Sequence, residues 1–171
     1  MVELTATSVD DPVARSLLTD YFRTRADTFP GNTYTTVFPA REVFEPPRGV
    51  FVVLTDDAGA PVGCGGVREI AAGALGPRFE IKHLYLAPET RGRGWGRMLL
   101  ADLERRAADV GAREVVLDTH HTLEPAARLY RAAGYAPIEP YNDNPNATVW
   151  LGKALDAGSP GRSASPSAQT G

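Results

Sequence analysis

The sequence predicts an α/β protein of the α+β kind, a largely antiparallel central sheet with helices packed against it. Three observations carry that prediction. Gly49 to Leu86 holds three β-rich runs separated by turn signals, which reads as an antiparallel meander. After it come a helical pattern, a strand with Val115, Val116 and Leu117 in a row, and a second helical pattern. The chain has 171 residues, enough for one domain with a proper core.

In chain order, Val2 to Val9 is the candidate opening strand. Asp11-Pro12 starts a helix, with Asp as N-cap and Pro at the first helical position. Val13, Leu17, Leu18 and Tyr21 recur at helical spacing and carry it to about Arg25. Phe29 to Pro47 is Pro-rich and irregular, with one short helix expected near Ala40 to Val43. Such a segment suits either a substrate wall or a plain surface connection. Gly49 to Leu54 is a β-branched strand, Asp56 to Gly59 a turn, and Pro61 to Val67 the return strand. Gly63, Gly65 and Gly66 within it suggest a bulge or a close approach to the backbone. Ala71 to Pro77 is a second turn, and Arg78 to Leu86 the fourth strand.

A helix follows the glycine-rich turn, with Leu100, Leu103, Ala107 and Val110 on one face and a stop at Gly111. Glu114 to Thr119 is the fifth strand, its apolar run consistent with burial on both faces. A second helix from about Glu124 carries Ala126, Leu129, Tyr130 and Ala133, and Gly134 closes it. Tyr135 to Ile138 and Ala147 to Leu151 are the last strands, with a polar loop from Pro140 to Pro145 between them. Residues 1–156 are expected to form a single domain, and 157–171, rich in Gly, Ser, Pro and Ala, a disordered tail.

Net charge is −3 with a pI near 5.6, which disfavours general nucleic-acid binding but allows a local basic loop. The single cysteine, Cys64, excludes an intramolecular disulfide. There is no signal-peptide pattern at the N-terminus, and runs such as Val50 to Leu54 are too short to span a bilayer. A cytoplasmic protein without membrane association is expected.

Chemistry concentrates in Arg91-Gly92-Arg93-Gly94-Trp95-Gly96-Arg97. A helix start offers free N–H groups and the positive end of the helix dipole, and glycines let an anion approach them. A phosphate or pyrophosphate is the natural guest. The G-x-G-x-G spacing is neither the Rossmann fingerprint nor a P-loop.

Arg91-x-x-Gly94-x-Gly96, after a strand ending Leu84-Tyr85-Leu86-Ala87-Pro88, resembles the coenzyme A pyrophosphate loop of the GCN5-related N-acetyltransferase (GNAT) superfamily. Ala126-x-x-Leu129-Tyr130-x-x-x-Gly134-Tyr135 resembles that family's second signature, and the likeness extends over about Val50 to Leu155. The resemblance implies a mixed sheet whose fourth and fifth strands splay apart, with helices on both faces. Acetyl-CoA would be the co-substrate, its pantetheine arm along Leu84, Tyr85 and Leu86. Its pyrophosphate would sit on the loop Arg91, Gly92, Arg93, Gly94, Trp95, Gly96 and Arg97. Backbone near Leu86 would polarise the thioester carbonyl.

The resemblance also gives Tyr130 the role of acid toward the leaving thiolate, which suits a phenol protonated at neutral pH. Its plainer reading is a core aromatic. Glu80 and Asp118 are the candidate general bases, since each matches a position where some relatives carry one, with a water chain as the alternative. Glu80 shares strand parity with Lys82, Leu84 and Leu86, and a solvent-facing residue paired with Lys82 is its plainer reading. Asp118 follows an apolar run, and its plainer role is satisfying backbone at a strand end. Leu123 stands where the family often has asparagine, so the resemblance implies that this contact with the pantetheine arm is either absent or replaced by Thr122.

His83, His120, His121 and Cys64 lack metal-ligand spacing, and adjacent His120 and His121 on a strand would point to opposite faces. No metal is expected. Cys64 has no activating partner nearby in sequence. The expected activity is acetyl transfer to a primary amine of a small molecule or peptide, by direct attack through a tetrahedral intermediate, in a monomer or homodimer. Arg23, Arg25, Arg41, Arg48 and Arg68 hint at an acceptor carrying a carboxylate. The rival reading is a non-catalytic CoA-, phosphate- or RNA-binding module using the Arg-Gly loop.

Overall fold

A computed structural model describes residues 1–156; the expected tail, 157–171, lies outside them. Its strands are β1 (Glu3–Ala6), β2 (Gly49–Thr55), β3 (Pro61–Gly73), β4 (Gly76–Leu86), β5 (Glu114–Thr119), β6 (Ala136–Pro137) and β7 (Val149–Ala154). They form one sheet in the order β1-β2-β3-β4-β5-β7-β6. Its helices are α1 (Pro12–Thr28), α2 (Trp95–Asp109) and α3 (Glu124–Ala132), with a short 3-10 turn at Arg41–Phe44 near the expected position. The meander is β2-β3-β4, and β4 pairs with β5 in parallel while every other pair is antiparallel. β3 and β4 pair out to Gly73 and Gly76, so the expected turn from Ala71 to Pro77 shrinks to Ala74-Leu75.

The sheet buries both faces. Val52, Leu54, Val67, Phe79 and Ile81 meet Leu99, Leu100 and Leu103 of α2 on one face. Phe51, Val53 and Cys64 meet Leu17, Leu18 and Phe22 of α1 on the other. Asp11 caps α1, its Oδ1 accepting the Val13 N–H at 2.9 Å and the Ala14 N–H at 3.4 Å. The buried stripe of α1 is Ala14, Leu17, Leu18 and Phe22, so the expected Val13 stays 42% exposed. Val110 is likewise exposed, because α2 ends at Asp109 and the chain turns away at Gly111 (φ 97°).

The glycines of β3 satisfy both readings. A Cβ on Gly63 would lie 2.6 Å from Leu86 Cδ2 and 2.8 Å from the Tyr85 carbonyl. The β3-β4 register also shifts between Cys64 and Gly66.

Candidate active site

The feature that makes a site is where β4 and β5 stop pairing. Their parallel ladder runs Arg78–Glu114, Phe79–Val115, Glu80–Val116 and ends there, although β4 continues to Leu86 and β5 to Thr119. The splay predicted for the fourth and fifth strands is present, and past Glu80 the β5-side edge of β4 has no strand partner. A cavity of about 960 Å³ opens along it. Its walls come from β4, α1, the start of α2, the start of α3 and the irregular segment that includes Tyr34, Thr35 and Phe38. Asn146 ties that segment down, its Oδ1 accepting the Thr35 N–H at 3.0 Å and its Nδ2 donating to the Thr35 carbonyl at 2.8 Å.

At one end lies the glycine turn. Gly92 (φ 80°) and Gly94 (φ 78°) hold left-handed backbone, and Gly94 is the N-cap of α2. No side chain caps this helix and no acidic residue stands in its first turn, so its leading N–H groups are free for an anion. Arg91, Gly92, Gly94, Gly96 and Arg97 line the cavity. Arg93 and Trp95 do not; the Arg93 guanidinium lies over the Trp95 ring, 5.1 Å from its centroid.

Leu84, Tyr85 and Leu86 line the middle of the cavity. Their parity differs from the expected one. His83 has φ 57°, and β4 gains one residue relative to β3 between Lys82 and Tyr85. That bulge exchanges the faces. Phe79 and Ile81 point into the α2-side core, and beyond the bulge Leu84 and Leu86 do so too. Glu80 and Lys82 therefore do not share a face with Leu84 and Leu86. His83 packs edge-on against Tyr21 and Phe22, with centroids 5.5 and 5.4 Å away, and its Nδ1 is buried without a partner. Burial, then Lys82 and Arg68, push its imidazole down to about 3, so it is neutral.

Tyr130 lines the cavity from α3 and is 7% exposed, its ring edge-on to Tyr135 at 5.9 Å. Burial raises the phenol to about 12, with Arg25 lowering it and Asp118 raising it. Asp118 also lines the cavity. Both its oxygens accept from Lys82 Nζ at 3.2 Å, and Oδ2 accepts from Asn142 Nδ2 at 2.7 Å. Burial raises its carboxyl, but Lys82 and hydrogen bonds from Asn142 and Asn144 prevail and hold it below the usual carboxylate range.

Glu80 does not reach the cavity wall. It is 1% exposed, with Oε1 accepting from Arg68 Nε at 3.0 Å and Nη2 at 2.9 Å. Its Oε2 accepts from Tyr141 Oη at 2.6 Å, and Lys82 Nζ stands 3.6 Å away. Lys82 thus links the two candidate bases. Tyr141 and Asn142 were not singled out in the sequence. The signal was a polar loop between prolines, and its partners lie 61 and 24 residues distant.

His120 and His121 follow β5 rather than sit on it, and their rings stack at 4.4 Å instead of facing apart. Neither lines the cavity, whereas His83 does. Thr122 and Leu123 both line it, and Thr122 Oγ1 is 2.8 Å from His120 Nδ1. Cys64 is fully buried, its thiol pushed up chiefly by burial, which makes it inert. No group of three His, Cys, Asp or Glu residues suited to a metal exists among the described residues. No described helix is long and apolar enough to cross a membrane.

A splayed parallel strand pair and an uncapped, arginine-flanked helix start thus bring an open strand edge and free N–H groups to one cavity. The profile of the Acetyltransferase (GNAT) family matches residues 13–135, and the chain belongs to that family. It is 38% identical over 107 residues to an N-acetyltransferase of Schizosaccharomyces pombe that is itself uncharacterized, covering 62% of this chain and 63% of that one. It is 33% identical over 91 residues to an IAA acetyltransferase of Azospirillum brasilense, covering 52% and 58%. The matches thus span less than two thirds of these relatives' length. In fold, it is similar to a GNAT-family acetyltransferase of Staphylococcus aureus (TM-score 0.72, 15% identity, 91% and 100% of the two chains). It is also similar to a phosphinothricin acetyltransferase of Sinorhizobium meliloti in complex with AcCoA (TM-score 0.63, 19% identity, 92% and 90%).

Proposed function

We propose that the protein transfers the acetyl group of acetyl-CoA to a primary amine of a small molecule or peptide. The observation that carries this reading is the unpaired edge of β4 leading straight to the free N–H groups of α2, with Tyr130 across the cavity. Acetyl-CoA supplies an activated acyl group; this chain's residues bind it, orient it and move protons. Gly92 to Arg97 hold the pyrophosphate, and the open edge at Leu84 to Leu86 takes the arm.

The amine nitrogen attacks the thioester carbonyl carbon, and backbone donors beside Leu86 stabilise the oxygen of the tetrahedral intermediate. The carbon–sulfur bond then breaks, and sulfur takes the Tyr130 proton. The proton lost by the amine passes to the Asp118 side of the cavity and returns to Tyr130. A phenol raised to about 12 keeps its proton until charge develops on sulfur, which suits a donor. Asp118 faces the cavity while Glu80 is sealed behind it, so Asp118 receives the amine proton, directly or through water, and Glu80 positions Arg68 and Lys82.

Calorimetric titration with acetyl-CoA, followed by an amine panel with free-thiol release as readout, tests the reading. Binding and amine-dependent thiol release are expected. Absence of acyl-CoA binding overturns it.

A further inference from the structure

Arg25 stands in the last turn of α1 and lines the cavity. Five Lys or Arg side chains line this cavity (Arg25, Arg68, Lys82, Arg91 and Arg97) against one carboxylate, Asp118. Two are neutralised: Arg68 by Glu80 and Lys82 by Asp118. Arg91 and Arg97 belong to the phosphate end. That leaves Arg25, which makes no salt bridge among the described residues. Of the other arginines singled out in the sequence, Arg23 pairs with Asp20 and Arg41 with Glu45, and Arg48 is exposed away from the cavity.

Arg25 is nevertheless held in place. Its guanidinium lies over the Tyr34 ring, 5.3 Å from the centroid, and Tyr34 belongs to the segment clasped by Asn146. The Tyr21 and Tyr34 hydroxyls also lie against this guanidinium, whose five N–H donors leave others for a carboxylate. The neighbouring wall is neutral, with the Thr24 and Thr28 hydroxyls donating to the backbone carbonyls of Asp20 and Thr24 and Asn146 bonded to Thr35, so nothing there cancels the charge. Arg25 also acts electrostatically on Tyr130, Tyr34 and His120, so it stands close to the reacting end of the cavity.

We propose that Arg25 recognises the acceptor and that the acceptor carries a carboxylate within a few bonds of its reacting amine, as an α- or β-amino acid does. This rests on the acetyltransferase reading above. The carboxylate of such a molecule lies on Arg25, the one cavity cation outside the phosphate end that no carboxylate of the described residues offsets, and its amine reaches toward Tyr130. A polyamine or a lysine-rich peptide meets uncompensated positive charge there and is rejected.

The test uses the full chain with acetyl-CoA, the protein amino acids and β-alanine, each also as its carboxamide and its decarboxylated amine. Thiol release is the readout, with acetyl-CoA binding measured separately. Turnover is expected with one or more free amino acids, falling about 10²-fold in kcat/KM for the matching carboxamide. Arg25→Gln is expected to raise the acceptor KM by a similar factor, to leave acetyl-CoA affinity unchanged, and to abolish the preference for acid over carboxamide. Arg25→Lys is expected to restore only part of that preference, since an ammonium lacks the fork. Equal turnover of acid and carboxamide, an acid preference that survives Arg25→Gln, or no turnover of any amino acid while acetyl-CoA binds, each overturns the proposal and leaves the acetyl-CoA site standing. Failure of acetyl-CoA to bind overturns the acetyltransferase reading and the proposal together.

Discussion

Replacing Glu80 with glutamine separates a carboxylate that supports the site from one that reacts in it. The side chain is 1% exposed and accepts from two Arg68 nitrogens through Oε1 and from Tyr141 through Oε2. Glutamine keeps the shape but offers one acceptor oxygen and one NH2 group. Tyr141 can rotate its hydroxyl to accept from that NH2; Arg68 cannot accept at all. With the amide oxygen turned to Arg68, geometry survives but charge assistance is lost, at about 1.5–3 kcal/mol per charged contact. Arg68 is 35% exposed and regains some hydration, which trims the total. We expect about 3–4 kcal/mol of destabilisation, the low end for breaking a buried pair.

At about 2–4 °C per kcal/mol for a chain of this size, the melting midpoint falls by about 6–16 °C. Thermal unfolding followed by circular dichroism measures it, paired with acetyl-transfer kinetics well below the variant's midpoint. There kcat is expected to drop less than about 10-fold, because Asp118 and Lys82 still face the cavity. An unchanged midpoint with kcat lost about 10³-fold or more refutes the reasoning and makes Glu80 a reacting group.

Tyr130→Phe keeps the packing on Tyr135 and removes only the donor; kcat is expected to fall about 10²–10³-fold with acetyl-CoA affinity little changed, and an unaltered rate would remove Tyr130 from the mechanism. His83 is neutral when folded, its imidazole held near 3 by burial, but titrates near 6.5 when unfolded. Between those values the unfolded chain binds more protons, so stability falls as pH drops, by at most about 1.4 kcal/mol per pH unit from this group. His83→Phe is expected to flatten that acid limb in urea melts from pH 6.5 to 4.5, and an unchanged slope counts against it. Gly63→Ala places a Cβ 2.6 Å from Leu86 and 2.8 Å from the Tyr85 carbonyl. It is expected to cost about 1–3 kcal/mol and to weaken acetyl-CoA binding in calorimetry, whereas unaltered affinity would mean that β4 is not the rail.

What was legible in the sequence is what a few neighbouring residues decide. A helix start that must accept an anion needs left-handed backbone, no cap and no acid, and Gly92, Gly94 and the arginines state all of that within seven positions. The strand Val115 to Leu117 and the stripe of α3 are likewise local patterns. The bulge at His83 was not legible. One inserted residue reverses every later side chain, and histidine at φ 57° leaves no mark in sequence. The parity argument that grouped Glu80 with Leu84 and Leu86 failed for that reason alone. The charge pairing of the cavity was hidden differently. Glu80 meets Arg68 across an antiparallel pair and Tyr141 across 61 positions, so only the folded sheet reveals which cations are spent. Sequence could name five arginines as candidates for an acceptor carboxylate. Arg23 and Arg41 pair with Asp20 and Glu45 within one helical turn and Arg48 lies outside the cavity, so the choice falls between Arg68 and Arg25, and the register of β3 against β4 decides it by setting Glu80 against Arg68.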